Sequence, residues 1–101
     1  MLTKILKKTD SSGRLVIPKP FSNYVGINPD TEVAICSYEE YGAEVVMLKP
    51  ITQIENCKVI SIIKMDKKGR IAIPHALMPE GRNEIFFEIY LFNGDLVMEE
   101  V

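Results

Sequence analysis

Short apolar runs, broken repeatedly by Gly, Pro, Asn, Asp and Ser, give this chain the punctuation of a strand-rich protein. Residues 5–9 and 59–65 read as strands entering two glycine turns, and residues 15–17 and 71–73 as short strands leaving them. Residues 32–38 with 44–48, and 84–92 with 95–99, read as two hairpins; Asn93 followed by Gly94 is a strong two-residue turn signal. Between the first glycine turn and the first hairpin there is room for about two helical turns ending near Gly26, whereas Pro79 and Gly81 allow one turn at most in the second linker. The predicted fold class is mostly β with short helices.

The two series of elements are copies of one unit. Residues 8–18, KTDSSGRLVIP, and residues 64–74, KMDKKGRIAIP, share Lys8/Lys64, Asp10/Asp66, Gly13/Gly69, Arg14/Arg70, Ile17/Ile73 and Pro18/Pro74 at an offset of 56, with Leu15/Ile71 a conservative pair. The hairpins resume the match at an offset of 52, where EVAICSY faces EIFFEIY and Tyr41 with Gly42 corresponds to Asn93 with Gly94. Residues 1–50 are therefore read as a first repeat, 51–56 as a joint and 57–101 as a second repeat. Neither half is large enough to bury an adequate core alone, so the two are expected to share one. In each turn the glycine, Gly13 or Gly69, supplies a positive φ, and the aspartate, Asp10 or Asp66, accepts bonds from nearby backbone N–H groups.

Composition narrows the function. With 47% hydrophobic and 26% charged residues the chain has an ordinary globular balance, and no apolar run approaches the roughly 20 residues that cross a bilayer. The basic start, MLTKILKKTD, lacks the apolar core of a secretory leader, which predicts a cytoplasmic protein. Cys36 and Cys57 stand far apart outside any CxxC pair and read as reduced thiols; with His75 the one histidine, no metal set is suggested and no cofactor is expected.

A net charge of −2 speaks against a nucleic-acid partner, but its distribution reverses that reading. Residues 1–20 carry Lys4, Lys7, Lys8, Arg14 and Lys19 against Asp10; residues 57–75 carry Lys58, Lys64, Lys67, Lys68 and Arg70 against Asp66. Each window is +4, and the remainder, Lys49 and Arg82 against twelve acids, is −10. Exposed lysines also keep strand edges soluble, a sufficient account for either window alone. The same excess around two equivalent turns favours a shared cationic surface instead. With a Debye length of about 8 Å, distant acids are largely screened from a partner there.

The D-x-x-G-R-[LI]-[VA]-I-P pattern over residues 10–18 and 66–74, the helix ending Val25, Gly26 and Ile27, and the hairpin ending VVMLKP resemble the AbrB/MazE/SpoVT-like swapped-hairpin DNA-binding domains. The likeness covers residues 4–50 and, more weakly at the helix, 58–100; the tandem units of MraZ proteins are a second resemblance. It implies a swapped-hairpin β-barrel formed by the two repeats as an intramolecular pseudo-dimer. It also implies a transcriptional regulator that contacts double-stranded DNA through Lys7, Lys8 and Arg14 in copy one and Lys64, Lys67, Lys68 and Arg70 in copy two. This chain has Ile63 where copy one has Lys7, and Ser22 with Asn23 or Met78 with Pro79 where relatives carry a basic helical pair, so an asymmetric footprint is expected.

Two other function classes compete with this reading. No nucleophile motif or phosphate loop accompanies His75, Ser11 or Ser12, so the chain does not read as an enzyme. An antitoxin-type, autoregulatory module that binds a toxin or another regulator is the alternative; the acids fall within the hairpins rather than in an extended tail, and they could equally serve a homo-oligomer.

Overall fold

The computed structural model describes residues 3–40, 42–78 and 84–101. Tyr41 of the expected first hairpin turn and Pro79 and Gly81 of the expected second linker lie outside them. The first repeat contributes strands β1 (Ile5–Lys8) and β2 (Arg14–Val16), helix α1 (Lys19–Val25), and strands β3 (Glu32–Glu40) and β4 (Ala43–Pro50). After a 3-10 turn at Ile51–Gln53, the second contributes β5 (Lys58–Lys64), β6 (Arg70–Ala72), a 3-10 turn at His75–Leu77, β7 (Phe86–Phe92) and β8 (Asp95–Glu100).

The linker difference is realised as two helical turns against a single 3-10 turn. Helix α1 ends in a Schellman arrangement, with Gly26 N–H donating to Asn23 O at 3.2 Å and Ile27 N–H to Ser22 O at 2.8 Å. That geometry turns Ile27, 1% exposed, into the core.

All strands pair antiparallel, in a six-stranded sheet of order β1-β7-β8-β4-β3-β5 and a separate two-stranded ribbon, β2-β6. The two repeats interlock. Strand β1 of the first pairs with β7 of the second, β5 of the second pairs with β3 of the first, and the hairpins meet along β4 and β8. Two ladder pairs join equivalent residues of the copies: Leu15 opposite Ile71, and Val46 opposite Met98. Elsewhere the equivalence slips. Lys8 faces Phe86, but Lys64 faces Glu32, two residues from the matching position, and a bulge follows between Ile35 and Cys36.

The closed swapped-hairpin barrel that the resemblance implies does not form. Strands β1 and β5 remain the two edges of the sheet, because each leads through its glycine turn into the ribbon instead of pairing with the other. Leu15 and Ile17 of the first repeat and Ile71 and Ile73 of the second join Val33, Ile35, Leu48, Phe87, Ile89, Leu96 and Met98 of the sheet in one hydrophobic core. Residues 33–37 are buried without alternation on β3, an interior strand flanked by β4 and β5.

Candidate nucleic-acid interface

The two glycine turns are built alike, bond for bond. In the first, one carboxylate oxygen of Asp10 accepts from the N–H groups of Ser12 and Arg14, both at 2.9 Å, and the other accepts from Arg14 Nε at 3.1 Å. In the second, Asp66 accepts from the N–H groups of Lys68 at 2.9 Å and Arg70 at 2.8 Å, and from Arg70 Nε at 2.7 Å. Gly13 and Gly69, at φ of 76° and 77°, close the loops by donating to the carbonyls of Asp10 and Asp66. Both carboxyls are held below the usual aspartate range, chiefly by the arginine backbone N–H and further by the arginine side chain.

The ribbon joins the turns into one surface. Ile17 N–H donates to Gly69 O and Ile73 N–H to Gly13 O, each at 2.9 Å, so each turn is fastened to the other repeat. Because side chains alternate along a strand, Leu15 and Ile71 point inward, and Arg14, Val16, Arg70 and Ala72 share the outer face. The two arginines converge there, with Arg70 Nη1 4.0 Å from Asp10 as well as bonded to its own Asp66. An arginine held through Nε still has Nη hydrogens to offer a phosphate or a base edge, although one Nη of Arg70 already faces Asp10.

Beside this face opens a groove of about 450 Å³ bounded by the second turn, α1 and the end of β1. Lys7, Lys19, Lys67 and Lys68 line it together with Val16, Gly69, Asn23 and Asn28, and no Asp or Glu is among the described residues of its wall. A larger cleft of about 670 Å³ elsewhere is of mixed charge, with Glu39 and Glu44 against Lys58.

Of the seven basic residues singled out in the sequence, Arg14 and Arg70 therefore lie on the ribbon face, and Lys7, Lys67 and Lys68 in the adjoining groove. Lys8 is placed differently. It follows Lys7 on a strand and so faces the other way, bound to Glu84 at 2.8 Å, with its ammonium 5.9 Å from the Phe86 ring centre. Its equivalent, Lys64, lies across the ladder from Glu32, the repeat counterpart of Glu84. Lys19, Asn23 and Asn28 were not among the expected contacts. The available signal was Lys19 directly after the signature proline, at the first position of α1.

Cys36 and Cys57 are free thiols; burial, aided by the neighbouring Cys57, pushes the Cys36 thiol up to about 12. Among the described residues no cluster of three or more His, Cys, Asp or Glu side chains could hold a metal ion, and no helix is long and apolar enough to cross a membrane. Comparison with known protein families, with curated proteins and with solved structures finds no match.

Proposed function

We propose that this protein binds duplex DNA as an AbrB-like transcriptional regulator acting in the cytoplasm on the nucleoid. We further propose that the exchange of strands between its repeats is an intramolecular version of the swapped-hairpin arrangement. One observation carries the reading: two half-buried, aspartate-held arginines, one from each repeat, share the outer face of the ribbon, which adjoins a groove lined by four lysines and, among the described residues of its wall, by no acid. The molecule measures 35 × 32 × 28 Å, so acids on its far side lie several Debye lengths, of about 8 Å each, from a partner on this face.

In this reading the arginine Nη groups and the groove ammoniums meet phosphates, and either arginine can reach a base edge. If Lys7, Arg14, Lys67, Lys68 and Arg70 each neutralise one phosphate, the logarithm of the binding constant falls with the logarithm of salt at a slope of roughly −4 to −5. Fluorescence anisotropy on labelled duplex tests this with the wild type and with Arg14→Ala/Arg70→Ala. A flat salt response, or equal binding by both proteins, would refute the proposal.

A further inference from the structure

We infer that the lysine groove holds consecutive phosphates of one nucleic-acid strand and thereby gives the pseudo-symmetric molecule a single direction on duplex DNA; the inference rests on the DNA-binding reading above. The lysines reach the groove from separate parts of the chain: Lys7 from β1, Lys19 from α1, and Lys67 with Lys68 from the second turn. The nearest acid in sequence to that turn pair, Asp66, is already bonded through both oxygens to its own turn. Exposed Asp30 follows the wall residue Pro29 and its N–H donates to Met65 O at 2.9 Å, so one acid stands near the groove's edge; the lysines stand beside exposed Asn23 and Asn28, which add amide donors.

The lining also identifies which part of a nucleic acid fits. No aromatic side chain is among the wall residues described, so there is no platform on which a base stacks. The wall also includes buried Ile17, Ile27 and Met65, and the cations and amides set beside them, without an aromatic platform, suit phosphates. Val16 belongs both to this wall and to the outer face of the ribbon, so a strand crossing the arginines continues into the groove.

The pseudo-symmetric counterpart of this groove, also drawn from both repeats, does not carry the same residues. At the positions equivalent to Lys7 and Lys19 the second repeat has Ile63 and His75, and at those equivalent to Lys67 and Lys68 the first repeat has Ser11 and Ser12. The ribbon offers an arginine on either side of its centre, whereas the lysines stand on one side only. A duplex bound across the ribbon is consequently gripped harder at one end.

The test exchanges the turn residues. Lys67→Ser/Lys68→Ser writes into the second turn the residues that the first turn already folds with, and Ser11→Lys/Ser12→Lys does the reverse. Anisotropy titration against salt should show the first variant's slope shallower by about 2, with affinity lowered on the order of thirtyfold at physiological salt. Hydroxyl-radical protection of the bound duplex should be unequal about its centre, lose its stronger side in the first variant and gain on its weaker side in the second. Unchanged slope and affinity in the first variant, while Arg14→Ala/Arg70→Ala still weakens binding, would overturn the groove assignment and leave the DNA reading standing.

If the wild type binds no duplex at low salt, the DNA reading itself fails. Tripolyphosphate, followed through the amide resonances of residues 23 and 67–69, then separates the remaining possibilities. Saturable shifts without duplex binding would replace the strand by a free phosphorylated ligand, and no shifts would remove the groove as an anion site. Either result overturns the inference.

Discussion

Thr9 fastens the first strand of one repeat to the second hairpin of the other, and its removal is a direct test of the interlock. It is fully buried; its N–H donates to Ile85 O at 2.9 Å and its Oγ1 accepts from Ile85 N–H at 2.9 Å, across 76 positions of sequence. Thr9→Val keeps the side-chain volume and deletes the acceptor. Ile85, itself 0% exposed, is left with a buried N–H and no partner. An orphaned buried donor costs about 1–3 kcal/mol. For a chain of this length that lowers the thermal midpoint by roughly 5–20 °C. Thr9→Ser is the control, since it keeps the oxygen and loses one methyl, about 0.8 kcal/mol of burial. Circular dichroism melts at neutral pH should rank wild type above Thr9→Ser and Thr9→Val lowest. A valine variant that melts at or above the serine variant would refute the claim that this hydrogen bond, rather than packing, holds β1 in place.

Three other outcomes follow from the same geometry. Gly13→Ala and Gly69→Ala should each cost about 1–2 kcal/mol in urea unfolding, because both positions are left-handed; the atom nearest a new Cβ at Gly69 is Ile17 O at 3.9 Å, so strain rather than collision sets the loss. Leu15→Ala and Ile71→Ala, at 0% and 1% exposure on the inner face of the ribbon, should each cost about 2–5 kcal/mol, measured the same way, and a loss confined to one of them would contradict their equivalence. Asp10 and Asp66 have lowered folded pKa values, so the stability they contribute is fully present above the unfolded aspartate value of about 3.9 and disappears as pH falls through the folded values. Asp10→Asn/Asp66→Asn should therefore flatten the acid limb of a stability–pH curve, and an unchanged limb would show that other carboxyls dominate it.

What the sequence disclosed and what it withheld divide by range of interaction. The turns were legible because their bonds span two to four residues, so Asp10, Gly13 and Arg14 carry the geometry wherever they occur. The partner of each strand was not, because β1 buries the same alternating face against a hairpin of either repeat, and only the assembled core selects β7. Likewise, the separation of Lys7 from Lys8 was implicit in strand alternation, whereas the meeting of Lys7 with Lys67 depends on the crossing of the repeats. The two-residue slip of Lys64 against Glu32 had no local signal, since a shift of two preserves which face each side chain occupies.

Joining both halves in one covalent chain has a consequence for what evolution or engineering can alter. In an assembly of two identical subunits, any substitution at a turn appears twice, once on each flank. Here Lys67 and Ser11 occupy matched places and need not agree, so either flank can be rewritten while its counterpart stays constant.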